Sequence, residues 1–528
     1  MKKRFLLFIV FIMALLLSGC SLGDLPFLTK IDINASTYSE NDFEFLVEKV
    51  LLSKGYQNTN PKVELVTKLD ETRILITPGL VKSSGMEVSD ITLVDNVVNI
   101  SIINSSYSSA KLVIPQISIL LTKLDSKELD KLEFNIINEN YEPVEINYGI
   151  VDVLNKVQAD FKISTDSYPD ISLVEKDDSI LWEINFENIF DIQNIENPII
   201  DLELLVDSET GQVIMSKKSL ISSLVDEGEV LASDQNYGFL YSKNIIDNLS
   251  LTTEIWLYDF LDSTKTKIYT TQSDIISAKF RPDGLAIAFI EKNGNYSSPY
   301  ILELSDKRVT KIVLEENQMP EQIDWKSTSE LSILTSFQNN QSNIFLYDTK
   351  ENTIRTALTA VFDISNFSQF EDTILLSEYI DNTKNNKIKL WDQENGFVFI
   401  ANGYSPTIIN KNYGAYIEKA EYSDSESLHI FSLKTLKDEF TILNTISSFN
   451  VISPDELYIT ESSAGNSCYH NSILNLDTKE LQTIGNINSA KSFYHKNSEL
   501  VYLNLSIPYE ENSPKIIFSI PTNDLKRR

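Results

Sequence analysis

One strand-like pattern recurs seven times in the last three-fifths of the chain, and it restricts the fold more than any other feature. The copies are Ile255-Trp256-Leu257-Tyr258-Asp259, Ile301-Leu302-Glu303-Leu304-Ser305, Ile344-Phe345-Leu346-Tyr347-Asp348, Ile388-Lys389-Leu390-Trp391-Asp392, Ile430-Phe431-Ser432-Leu433-Lys434, Ile473-Leu474-Asn475-Leu476-Asp477 and Ile516-Ile517-Phe518-Ser519-Ile520. Their first residues are 46, 43, 44, 42, 43 and 43 positions apart. A second column keeps the same step, an alternating strand starting at Phe239, Leu285, Leu331, Ile374, Ala415, Leu457 and Leu500. Tight turns lead into it at Arg281-Pro282-Asp283-Gly284 and Ser453-Pro454-Asp455-Glu456, where proline presets φ. A repeat of this length with about four short strands is a β-propeller blade. An α-solenoid is excluded, because each copy alternates with period 2 and not 3.6. The fold class is therefore mainly β: a C-terminal seven-bladed β-propeller over residues 228–528, preceded by an α+β region.

A ring of blades leaves a free edge unless its last blade is completed. The seventh copy has three recognisable strands, and only eight residues follow Ile520. An upstream strand could supply the fourth, with Gln212–Ser216 or Glu229–Leu231 as candidates. The Pro-Asp-Gly turn before Leu285-Ala286-Ile287-Ala288-Phe289 resembles the TolB-like and WD-like propeller repeats.

The N-terminus reads as an address. Met1-Lys2-Lys3-Arg4 is basic, and Phe5 to Leu17 is an unbroken apolar run of thirteen residues. A membrane-spanning helix needs about 20, so this run has the length of a signal-peptide core. It ends in Leu17-Ser18-Gly19-Cys20, which resembles the bacterial lipobox. The resemblance implies cleavage after residue 19 and a diacylglycerol on Cys20. Residues 1–19 are then a lipoprotein signal peptide and 20–36 a lipidated tether. The expected location is the outer face of the bacterial cytoplasmic membrane or cell envelope, with the lipid anchor as the membrane contact. Two acyl chains suffice for stable anchoring where one is marginal.

Between tether and propeller, two α+β segments are expected, 37–140 and 141–225. Ser39-x-x-Asp42 looks like a capping box before Phe43, Leu46, Val47, Val50 and Leu51, which lie at helical spacing up to Gly55. Strands are expected at 73–77, 88–93, 97–103 and 112–121. The Lys82-Ser83-Ser84-Gly85-Met86 turn and the Ile114-Pro115 step resemble the C-terminal domain of PrcB, a protease-complex subunit. Further on, Ile150, Val153, Leu154, Val157 and Phe161 share one helical face. Strands at 180–186 and 202–207 follow, and then Ser208-Glu209-Thr210-Gly211 before Gln212-Val213-Ile214-Met215. Helix, Trp-Glu strand and Thr-Gly hairpin together resemble the PepSY domain, an extracytoplasmic module with proposed protease-regulating roles.

Lys and Arg number 45 against 76 Asp and Glu, a net charge of −31. Such a chain repels nucleic acid, so no nucleic-acid partner is expected. Apolar residues make up 42%, enough for real cores, which excludes a wholly disordered chain. Once Cys20 is lipidated, Cys468 is alone and cannot form an intramolecular disulfide. The three histidines, His429, His470 and His495, have no partner at a metal-ligand spacing such as HExxH. No GxSxG elbow, Walker loop, sialidase-type Asp box or EF-hand loop is present. No catalytic residue, metal or cofactor is therefore assigned. The expected function is a non-catalytic surface lipoprotein using its propeller to bind an extracytoplasmic protein, a protease or envelope enzyme by the resemblances above. The alternative is a propeller hydrolase or lyase acting on envelope glycans or small molecules through a carboxylate pair. Tyr296, Tyr422 and Tyr469 lie between second and third strands, so they share one face and are the candidate partner-binding residues.

Overall fold

The computed structural model describes residues 28–31, 37–39, 44–56, 59–68, 71–105, 110–121, 131–163, 169–177, 179–191, 194, 196–247, 250–315, 318–336, 341–380, 386–420, 425–462, 469–487, 489–506 and 514–525. The signal segment, Cys20, Tyr422 and Cys468 lie outside these. No helix among the described residues is long and apolar enough to cross a membrane. The chain forms two compact units. One holds the chain up to Ile163 with Pro169–Phe186 and Leu202–Lys218; the other holds Glu187–Asp201 and Ser219–Arg528.

In the N-terminal unit, strands Leu28–Ile31, Glu44–Ser53, Lys111–Leu121, Glu71–Thr77 and Lys62–Lys68 lie side by side in that order. Val81–Ser83 adds to Lys111–Leu121. Met86–Val94, Val97–Asn104 and Glu133–Asn138 make a second sheet, its last pair parallel. Their inward residues recur every second position, as at Val98, Ile100 and Ile102, and meet Val50, Ile74 and Ile119 in one core. The expected helix at 43–55 is instead the strand Glu44–Ser53. The register shifts between Val47 and Lys49, so one extra residue separates inward Phe45 from inward Val50 and Leu52. A bulge of that kind stretches a period of two until it imitates helical spacing.

Ile150–Phe161 is the expected helix, burying Ile150, Val153 and Val157 and ending at Lys162 in the left-handed region. Beside it in sequence lies a four-stranded sheet of Asp170–Lys176, Ser179–Phe190, Ile199–Asp207 and Val213–Leu220.

In the C-terminal unit each repeat copy maps onto one four-stranded set. The sets begin at Glu229, Asp274, Pro320, Ile364, Gly396, Ile446 and Ser492. Consecutive strands pair antiparallel within each set, as in 238–247 with 250–258. The second strands are buried continuously rather than alternately, as at Ala286–Ile290, because both faces pack against neighbouring sheets. The fourth and fifth sets share a strand, Gly396–Ile408, which pairs with Asn386–Asp392 at one end and Tyr413–Lys419 at the other. It changes direction near Ser405, whose φ is 53°.

The last set holds 492–495, 500–506 and 515–521, and Ser223–Glu227 completes it by pairing with Lys515–Pro521. Neither expected candidate does this: Val213–Leu220 belongs to the earlier sheet and Glu229–Asp234 is the first strand of the first set. Gly228 alone separates the closing strand from the first set. Its φ is +149°, and a Cβ there would lie 2.6 Å from the Ser242 carbonyl oxygen. Glu187–Asp201 also packs in this unit: Phe190 and Ile199 join Tyr458, Ile487 and Val501, and Asn188 Nδ2 donates to the Asn486 carbonyl at 2.8 Å.

Candidate functional site

The innermost strands line two cavities, of ≈510 Å³ and ≈340 Å³, that share Lys279 and Ser448. Their walls are amides and hydroxyls, and most are already engaged. Gln322 Nε2 donates to the Phe367 carbonyl at 2.7 Å while its Oε1 accepts the Phe367 N–H at 3.1 Å. Asp324 accepts the N–H of Gln369 at 3.1 Å. Ser368 accepts from Ile408 N–H, Ser448 donates to the Ala490 carbonyl and Asn450 to the Ser492 carbonyl. Tyr237 reaches the Pro282 carbonyl, Trp325 that of Lys279 and Asn410 that of Pro454. Gln235 and Asn504 join the first set to the last. Every junction between successive sets is thus crossed by a side-chain hydrogen bond. The polar lining is used in holding the ring together, so it leaves little for a ligand.

Two charged groups stand out there. Burial pushes the Asp324 carboxyl above the usual range, opposed by the Lys279 charge and by two backbone N–H donors. Asp324 is one carboxyl under the influence of one lysine charge, whereas glycoside hydrolysis of the usual kind uses two carboxyl groups. Among the described residues no group of three or more His, Cys, Asp or Glu could hold a metal ion.

The ends of the ring differ. Antiparallel order puts the loops between second and third strands, and those between successive sets, at one end. Five large apolar side chains, Ile246, Tyr296, Val313, Val361 and Leu443, are 77–80% exposed, and all five lie at that end. Tyr379, also there, is half-exposed. A sector of this end takes in the second to fourth sets: Ser297 Oγ donates to the Pro320 carbonyl at 2.7 Å, tying the second set to the third, and Tyr379 N–H donates to the Asp363 carbonyl at 2.8 Å within the fourth. Inside it Glu321 and Asp363 both sit above the usual carboxylate range. Burial is the main cause for each, and for Glu321 the like charge of Asp363 adds to it, against the opposing pull of Lys292. The opposite end carries Leu261 and Leu285.

Of the expected binding residues, Tyr296 stands at this end on a turn whose Gly294 has a φ of +59°. Tyr469 opens the third strand of its set, as Tyr296 does, but it is half-buried against the cluster that holds Tyr458, Ile473 and Ile487. Tyr422 falls outside the described residues. The histidines are occupied. His429 Nδ1 lies 2.9 Å from Asp438 and Nε2 3.1 Å from Glu418, with the ring stacked on Tyr416 at 4.9 Å. His470 meets Asn486 Oδ1 at 3.1 Å. His495 stacks on Phe260 at 3.9 Å, and burial depresses its pKa. Sequence reasoning missed Val313, Val361 and Leu443. The available signal was a lone apolar residue in an otherwise polar link, as in Leu443-Asn444-Thr445.

No protein-family model matches the chain, and no curated protein does. Solved structures resemble it at low identity. An oligogalacturonate lyase from Vibrio parahaemolyticus is 10% identical at a TM-score of 0.42, covering 61% of this chain and 97% of that one. The β-propeller domain of the Trilobed protease from Pyrococcus furiosus is 10% identical at 0.37, covering 58% and 93%. TolB from Acinetobacter baumannii is 11% identical at 0.33, covering 66% and 86%. These are likenesses of fold, and nothing about activity is taken from them.

Proposed function

We propose that this protein is a membrane-anchored surface lipoprotein whose propeller is a non-catalytic docking platform for another extracytoplasmic protein. The observation that carries the reading is the concentration of Ile246, Tyr296, Val313, Val361 and Leu443 at one end of the ring. Exposed apolar residues scattered singly mean little, but a set on one rigid face has the composition of an interface core. Glu321 and Asp363 within that face favour a partner presenting a Lys or Arg among apolar side chains. The lipobox-like Cys20 supports an anchored location at the outer face of the cytoplasmic membrane or cell envelope. The PrcB-like and PepSY-like segments favour a protease or cell-envelope enzyme as the partner.

Photo-crosslinking tests this. A crosslinker at Tyr296 or Leu443 of the full-length protein in native membranes is expected to give one discrete adduct. The same group at Leu261 is expected to give none. An adduct from Leu261 alone, or none from either end, would remove the propeller face from the reading.

A further inference from the structure

A second surface, wholly within the N-terminal unit, carries chemistry opposite to that of the chain as a whole. A cleft of ≈500 Å³ is lined by Lys54, Tyr56, Lys82, Lys111, Leu173 and Glu175, among others. Lys82 is paired with Glu175. The neighbouring Glu183 accepts a hydrogen bond from Ser172 Oγ at 3.1 Å. Lys54 and Lys111 have no acidic partner among the described residues, and Lys54 is half-buried. Three lysines against Glu175 and Glu183 leave this concavity with one surplus positive charge, in a protein whose net charge is −31.

The floor of the cleft is made of strand edges. Asp170–Lys176 is the outermost strand of its sheet and pairs only with Ser179–Phe190. Across from it, Glu44–Ser53 stops pairing with Lys111–Leu121 at Ser53 and Ile114, which leaves Leu112 beyond its end. The buried Tyr56 hydroxyl spans the two edges. It donates to the Leu112 carbonyl at 3.0 Å and accepts the Leu173 N–H at 3.4 Å. Its ring is fixed edge-on to Trp182, with centroids 5.3 Å apart. Because the Leu173 N–H points away from the sheet, alternation turns the backbone groups of Ile171 and Glu175 outward as well. No described residue hydrogen-bonds those groups. An open edge of this kind is a template for another strand.

We infer that this cleft binds an extended, acidic peptide segment. The segment pairs with the outward backbone groups of Glu175, on the Lys82 side of Leu173, and its carboxylates meet Lys54 and Lys111. Backbone pairing supplies the direction of the peptide, and the lysines supply the preference for acidic side chains. Tyr56 stands as the end-stop of the groove, because its hydroxyl already occupies the Leu173 N–H.

Fluorescence anisotropy with the full-length protein tests the inference, using a labelled probe of sequence Ac-Thr-Glu-Val-Asp-Val-Glu-Thr-amide. Saturable binding is expected, weakening as salt is raised from 50 to 300 mM. The Lys54→Glu, Lys111→Glu double variant is expected to lose at least tenfold in affinity. The same probe with N-methyl groups on alternate amides is expected not to bind, since it keeps the charge but cannot pair as a strand. Equal binding of the N-methylated probe would reduce the cleft to a simple anion site and overturn the inference. So would equal binding of a probe with lysine in place of its two Glu and its Asp, an unaltered affinity in the double variant, or no saturable binding at all. The outcome is independent of the propeller face, whose adducts at Tyr296 and Leu443 are read separately.

Discussion

The Asn504 carboxamide holds the chain on both sides of Glu229, directly after Gly228. Its Nδ2 donates to the Gly228 carbonyl at 2.8 Å, and its Oδ1 accepts the Val230 N–H at 3.0 Å. One side chain of the last set therefore fixes the point where the chain leaves the closing strand and enters the first set. The Gly228 N–H completes the arrangement by donating to the Lys515 carbonyl at 2.7 Å.

Asn504→Ala leaves a buried carbonyl and a partly buried N–H unpaired. Each such group costs about 1–3 kcal/mol, so the C-terminal unit should lose about 2–6 kcal/mol. Gly228→Ala should be at least as harmful, since both φ and the Ser242 carbonyl oppose a side chain there. Urea unfolding followed by tryptophan fluorescence checks both, and an unchanged midpoint would show that closure does not depend on this clasp.

A different junction gives a graded test. Gln322 satisfies both backbone groups of Phe367, so Gln322→Ala should cost about 2 kcal/mol. Asn450→Ala breaks a single part-buried bond to the Ser492 carbonyl and should cost about half as much. The ratio of the two losses, more than either value, tests whether the channel amides act as inter-set clasps.

His495 predicts a pH dependence. Its depressed pKa means that the unfolded chain takes up a proton before the folded one does. The histidine term is absent above the ordinary value of 6.5, and stability is lost as pH falls below it, until the folded-state pKa is reached. His495→Gln should flatten that loss. Urea midpoints of both proteins at pH 7.5 and 5.5 are the measurement; parallel shifts would assign the acid sensitivity to the carboxylates.

Val361→Asp and Leu443→Asp change side chains that stand in solvent. Each should alter stability by no more than about 0.5 kcal/mol. Each should also abolish the Tyr296 photo-adduct, because a desolvated carboxylate in an interface core is strongly unfavourable. Loss of the adduct together with a lower melting temperature would instead mean that the face itself had been damaged.

Cys20→Ala should leave unprocessed precursor without an acyl chain. Mass spectrometry of the mature N-terminal peptide decides the matter, since wild-type protein lacking a diacylglycerol mass would end the case for an anchor.

The propeller was legible because blade size fixes a period, and the Ile255-to-Ile516 column needs only that period to be seen. Its closing strand was not. Ser223–Glu227 buries Val225 alone, and a five-residue strand with one inward residue has no pattern to detect. The strand at 44–53 was misread for the opposite reason, since its bulge manufactured a pattern that belongs to helices. The clasps were invisible too: Gln322 or Asn450 in isolation looks like any polar residue, and its task is set by a carbonyl more than 40 positions away. Tyr296 and Tyr469 both open third strands, and spacing alone does not tell them apart: Tyr296 stands 80% exposed beside the Gly294 turn, whereas Tyr469 packs on an apolar cluster.

The strand Gly396–Ile408 has a consequence for how such a ring can diversify. Where one strand serves two neighbouring sets, the chain passes between them without a connecting loop. Insertions, the usual raw material for new recognition, have no place to enter at that position, whereas the links around Val313, Val361 and Leu443 can lengthen freely. Over evolutionary time, novelty on this face should therefore accumulate unevenly around the circle, with the junction near Ser405 as its fixed point.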